Sequence, residues 1–170
     1  GNALHMPFPG FNILNGGAHA KNELEIQEFM VVPMKKTFQE NLVLGSNVFN
    51  KLTQLLKEAH GSVPEMGDEG GYAPQISTAE QALYLIKNAI DLADVNPVRN
   101  SPPKGPSGAR RAGVISNGVK IALDCAASEF YDDGKYSPQI GKELTRSQMV
   151  EFYKDLAARF PIISIEDPFD

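Results

Sequence analysis

Residues 121–124 read Ile121-Ala122-Leu123-Asp124, and residues 162–166 read Ile162-Ile163-Ser164-Ile165-Glu166. Each is a short apolar run closed by a carboxylate, the pattern of a buried strand with an acid at its tip. Between them, Thr145-Arg146-Ser147-Gln148 has the form of a capped helix start, and Met149, Phe152 and Leu156 follow on one helical face. Strand, helix, strand favours parallel strands with helices packed outside. Such architectures gather their chemistry at the carboxyl ends of the strands, where Asp124 and Glu166 fall. A buried carboxylate without a partner is costly, and a divalent cation with oxygen ligands is the simplest partner. Helix N-caps or surface acids are the ordinary alternative for one such residue; the pair favours metal ligation. Carboxylate oxygens suit Mg²⁺ better than zinc, which prefers His and Cys. Side chains alternate along a strand, so Cys125 reads as a packed core thiol.

Upstream, residues 7–15 read as a short strand behind a proline-rich entry, Gly16-Gly17-Ala18-His19-Ala20 as a loop, and 26–33 as a second strand with Pro33 at its exit. Thr37-Phe38-Gln39-Glu40 starts a helix with a capping box; Phe38, Leu42, Phe49, Leu52 and Leu56 form its expected apolar stripe, and Gly61 its stop. Gly45 inside it disfavours the helix by about 1 kcal/mol against Ala, which points to close packing there. Ser77-Thr78-Ala79-Glu80 is expected to cap a second helix with Leu83, Ile86, Ile90 and Ala93 on its apolar face. Residues 94–113 hold four prolines, three glycines and four basic residues against one acid, with little to bury, and read as a flexible surface insertion. They contain no aromatic residue on which a base would stack.

The bulk properties narrow the class. A net charge of −5 does not point to a nucleic-acid or anionic-membrane partner. The single cysteine forms no internal disulfide. No apolar run approaches the roughly 20 residues of a membrane span, and no signal-peptide pattern opens the chain. The 170 residues suffice for one domain of common size. The chain opens at Gly1 without Met and stops just after a strand-like run, so it reads as a piece of a longer protein.

Two further acids stand out. Glu69 lies in Gly67-Asp68-Glu69-Gly70-Gly71, where glycines allow positive φ and close approach of a substrate. Glu28 interrupts the apolar run Ile26-Gln27-Glu28-Phe29-Met30. If the two meet, their pKa values separate and one stays protonated as an acid; the sequence leaves that meeting open. His19 sits in a loop with two glycines that is able to close over an anion, although an exposed loop histidine is equally ordinary. His5 and His60 are assigned no role.

Taken together, Phe-Asn-Ile-Leu-Asn-Gly-Gly-Ala-His-Ala (11–20), Ile-Gln-Glu-Phe-Met (26–30), Gly-Asp-Glu-Gly-Gly-Tyr-Ala-Pro (67–74), Ala-Leu-Asp-Cys-Ala-Ala-Ser-Glu-Phe-Tyr (122–131) and Ser-Ile-Glu-Asp-Pro-Phe (164–169) resemble the enolase (phosphopyruvate hydratase) family. The resemblance implies an α/β fold: a partial TIM-like barrel, the first half of the enolase catalytic barrel, in the order ββαα followed by βα units with an antiparallel second strand. It implies that 1–170 is part of one catalytic domain. It implies Mg²⁺-dependent dehydration of 2-phosphoglycerate to phosphoenolpyruvate by the parent protein, a glycolytic lyase, with this chain alone inactive. Asp124 and Glu166 then match metal ligands and Glu69 the general acid. Glu28, Gln27 and His19 match substrate-binding residues. The lysine base and the third metal carboxylate would lie past Asp170. The family also implies a homo-oligomer, dimer or octamer, in the cytoplasm, with some members at the cell surface or secreted. A non-catalytic binding or scaffold protein on the same fold is the alternative, since fold does not fix function. Another acid-sugar dehydratase of the superfamily fits the glycine-rich segments less well.

Overall fold

A computed structural model describes residues 6–93 and 118–170. Its elements in chain order are β1 (Phe11–Asn15), β2 (Glu28–Pro33), α1 (Phe38–His60), α2 (Ala79–Ala93), β3 (Val119–Asp124), β4 (Tyr131–Asp132), β5 (Lys135–Gln139), β6 (Lys142–Leu144), α3 (Arg146–Arg159) and β7 (Ile162–Glu166). Short 3-10 turns occupy Gly17–His19 and Ala127–Phe130. The main sheet runs β1-β2-β3-β7; β2 is antiparallel to both neighbours, and β3 and β7 are parallel. This is a mixed α/β unit consistent with part of a TIM-barrel-type domain. Among the described residues the sheet is open, so there is no closed barrel. The insertion expected at 94–113 lies outside the described residues.

Strand parity divides the sheet into two faces. Phe29, Val31, Ile121 and Leu123 are fully buried and pack in one core with Val48, Leu52 and Leu56 of α1 and Leu83 and Ile86 of α2. Burying each such side chain contributes about 1.5–3 kcal/mol. The opposite parity places Glu28, Met30, Ala122, Asp124, Ser164 and Glu166 together on the other face.

The helix ends follow from their capping residues. Thr37 Oγ1 accepts from the Glu40 amide at 3.2 Å while Glu40 Oε2 accepts from the Thr37 amide at 3.0 Å, and Gly61 closes α1 at φ 76°. The buried stripe of α1 is Asn41, Leu44, Val48, Leu52 and Leu56. Phe38 and Leu42, expected on it, stand 50% and 45% exposed, because the helix is turned to bring Gly45 against β1. A Cβ at position 45 would come within 2.7 Å of the Phe11 ring, which is the close packing its glycine permits. The cap of α2 falls one residue later than expected. Thr78 Oγ1 accepts from the Gln81 amide at 3.2 Å, and Gln81 Oε1 accepts from the amides of Ser77 and Thr78. Glu80 turns instead toward Arg159 of α3, 3.7 Å away. Thr145 caps α3 as expected; its buried face is Met149, Tyr153 and Leu156, with Phe152 only partly buried. The small β4-β5-β6 sheet was not anticipated, because its strands are two to five residues long and carry no long apolar run.

Candidate functional site

Three carboxylates stand in one row across three adjacent strands. Glu28 is the register partner of Asp124 across β2 and β3, and Asp124 is the partner of Glu166 across β3 and β7. Directly opposed residues share a face, so all three side chains project from the face that the helices leave uncovered. Asp124 and Glu166 are the last residues of their strands, as the sequence implied.

The strand tips are tied beyond the ladder. The Cys125 amide donates to Glu166 O and the Ala127 amide to Asp167 O, both at 3.0 Å. Asp124 Oδ1 accepts from the Ala126 amide at 3.1 Å. The residues just past the tips, Ala126 (φ 44°) and Asp167 (φ 42°), hold left-handed backbone without being glycine, a conformation that costs about 1–2 kcal/mol and persists only where the surroundings impose it. Cys125 is buried, and burial pushes its thiol up to about 12, so it is an inert core group.

The fourth carboxylate arrives on the glycine loop. The Gly67 amide donates to Gly71 O at 2.7 Å and the Gly70 amide to Gly67 O at 3.1 Å, making a tight turn with Gly70 at φ 84° and Glu69 at its tip. Asn15, fully buried, fastens the turn: its Oδ1 accepts from the Gly71 amide at 2.9 Å and its Nδ2 donates to Gln27 O at 3.2 Å. A Cβ on Gly71 would strike Asn15 Oδ1 and lie 2.8 Å from Leu14 N, so only glycine seats here. Tyr72 continues the attachment, donating to Ile13 O and accepting from the Asn15 amide along the edge of β1.

Glu69 reaches the carboxylate row and lies close enough to Glu28 to raise its pKa. Its Oε2 accepts from Asn12 Nδ2 at 3.3 Å, and its Oε1 lies 3.6 Å from His19 Nε2. Burial, the hydrogen bond and charge of Glu69, and the charges of Asp124 and Glu166 together raise Glu28 to about 7. Glu28 therefore retains a proton close to neutrality. The meeting that the sequence left open does occur.

The structure thus gathers His19, Glu28, Glu69, Asp124 and Glu166. Gln27 joins through its backbone carbonyl, which accepts from Gly16 N and Asn15 Nδ2; among the described residues no contact ties its side chain to the group. A cavity of about 400 Å³ has His19 in its wall, together with Lys21, His60, Glu65, Asp68 and Gln75. The row of carboxylates does not line it.

No set of three or more His, Cys, Asp or Glu side chains among the described residues is arranged to hold a metal ion. Asp124, half-buried, and Glu166, exposed, supply two carboxylates on one face. That donor set fits Mg²⁺, which takes one or two carboxylates and keeps water on its other positions. Asn12 and Asn15 were not singled out as site residues. The available signal was two amides inside the apolar strand Phe11-Asn12-Ile13-Leu14-Asn15. No helix of the described residues is long and apolar enough to cross a membrane. The sequence matches the family model for the enolase C-terminal TIM barrel domain over residues 3–99 and 107–170.

Proposed function

Because this chain belongs to the family of enolase C-terminal TIM barrel domains, we propose that it carries one part of the active site of a Mg²⁺-dependent phosphopyruvate hydratase. In this reading it is the first half of that catalytic barrel, and the reaction is dehydration of 2-phosphoglycerate to phosphoenolpyruvate. The observation that carries the reading is the alignment of Glu28, Asp124 and Glu166 across three strands, with Glu69 brought close enough to act on the first. Four carboxylates in one patch repel one another unless a cation or a proton intervenes.

Asp124 and Glu166 would hold the ion. When bound, Mg²⁺ stabilises the negative charge that develops on the substrate carboxylate as the neighbouring C–H is deprotonated. The chain's own residues serve the other half of the reaction. Departure of the 3-hydroxyl needs a proton, and Glu28, which keeps one to about 7, lies beside Glu69 to supply it. Glu69, at the tip of its turn, delivers that proton to the leaving oxygen, which departs as water. His19, beside Glu69 on the preceding loop, faces the phosphate end of the substrate, and Gln27 and Glu28 line its path. The base that takes the α-proton is not among these groups, so the 170-residue chain alone is inactive in this reading. The parent protein works as a homo-oligomer.

The test uses the purified chain and its parent. Mg²⁺ titrated calorimetrically into the chain should bind, and Asp124→Asn or Glu166→Gln should weaken binding at least about tenfold, as loss of a metal carboxylate does. The parent should form phosphoenolpyruvate, followed by its ultraviolet absorbance, and Glu69→Gln should strongly reduce turnover while Mg²⁺ still binds. Unaltered turnover in Glu69→Gln, or turnover at an ordinary enzyme rate by the 170-residue chain, would remove the assignment.

A further inference from the structure

We propose that Asn12 is a positioning residue that aims the Glu69 carboxylate; the inference deepens the reading above and rests on it for the role of Glu69. The two Glu69 oxygens have different neighbours. Oε2 accepts from Asn12 Nδ2 at 3.3 Å, and Oε1 is left facing His19 Nε2 at 3.6 Å. Without the amide, no neutral donor fixes the last torsion of Glu69, a broad and soft one, and the choice of which oxygen serves which side is lost. With it, one oxygen is engaged and the other is presented.

The opposite end of the same side chain shows that folding alone does not explain it. Asn12 Oδ1 is buried and has no hydrogen-bond partner. The atom is pressed into the wall that receives the glycine turn, where a Cβ on Gly71 would lie 3.0 Å from it. Ionised, the Glu69 carboxyl only accepts, and protonated it still keeps an acceptor oxygen, so the amide serves it in both states with its NH₂ toward Glu69 and its carbonyl inward. An unpaired buried carbonyl destabilises the fold, and an apolar side chain of similar shape would remove that penalty. The neighbouring amide, Asn15, presents the contrast: both of its polar ends are bonded, to Gly71 N and Gln27 O, and it holds the loop itself. Asn15 fastens the turn; Asn12 orients the group at its tip. The other titratable groups around Glu69 are Glu28, with Asp124 and Glu166 beyond it, and His19. Beside them Asn12 is a neutral donor, able to hold Glu69 without changing its charge.

The test separates a folding role from a positioning one with Asn12→Leu and Asn12→Asp. Asn12→Leu removes the orphaned oxygen and should melt no lower than the unaltered protein. In the parent enzyme both variants should lower kcat by about tenfold or more while KM stays within about threefold, the loss expected for one hydrogen bond to a charged group that acts after substrate is bound. In the 170-residue chain the ¹³C carboxyl resonance of Glu69, identified by its disappearance in Glu69→Gln, should move in both variants. Early melting of Asn12→Leu would assign Asn12 to the fold and overturn the proposal. An unmoved Glu69 resonance in both variants would overturn it as well. A parent protein without dehydratase activity would instead remove the functional reading, and the resonance would still decide the role of Asn12.

Discussion

Replacing Glu28 with Gln tests the electrostatics of the carboxylate row without any substrate. Folded Glu28 keeps its proton up to about 7, raised from 4.5 chiefly by burial and then by Glu69, Asp124 and Glu166. Unfolded, it releases that proton near 4.5. Between these values the native state binds more protons than the unfolded chain, so stability falls as pH rises. The favourable contribution is complete below about 4.5 and gone above about 7. Each pH unit of displacement corresponds to about 1.4 kcal/mol, which sets a ceiling near 3 kcal/mol. Glu28 is half-buried, and solvent screening reduces the expected loss to about 1 kcal/mol. The assay is urea unfolding of both proteins at pH 5 and pH 8 in a chelating buffer. The unaltered chain should lose about 1 kcal/mol more than Glu28→Gln between the two conditions. Parallel behaviour of the two proteins would show that Glu28 does not share a patch with the other three acids, and the site as described would fail.

Other outcomes follow from the loop and the caps. Gly71→Ala should lower stability by about 1–3 kcal/mol in denaturant melts, because the new methyl meets Asn15 Oδ1 and the β1 backbone. Thr78→Ala should cost about 1 kcal/mol and Ser77→Ala far less, since the Gln81 amide bonds to Thr78; the reverse order would return the cap to Ser77. Added Mg²⁺ should raise the melting temperature of the unaltered chain and leave that of Asp124→Asn unmoved, by mass action on the folded state.

The elements whose signals are local were legible in the sequence. Thr37, Gly61 and Thr145 mark helix ends because capping is settled within four residues, and the strands ending at Asp124 and Glu166 were visible as apolar runs. Phe38 and Leu42 were assigned to the wrong face of α1, because its rotation is set by a ring from a distant strand, Phe11 against Gly45. The α2 cap was displaced for a nearer reason: two adjacent hydroxyl residues compete, and Gln81 reaches Thr78 better than Glu80 reaches Ser77. The acids of the site were individually conspicuous, but their association depends on strand register and on a loop returning over 50 residues later to Asn15. Asn12 escaped notice since an asparagine in a strand has no pattern of its own; its meaning comes from the two different surroundings of its amide ends.

The bonds from Cys125 to Glu166 and from Ala127 to Asp167 join the tips of β3 and β7 into one small rigid frame. If these two acids hold the proposed ion, the entropy of bringing them side by side is spent during folding rather than at the moment of binding. Two acids on independent loops would have to be collected by the ion itself, and its hold would weaken accordingly. Here the frame is ready-made, and its tension is stored in the twisted backbone at Ala126 and Asp167.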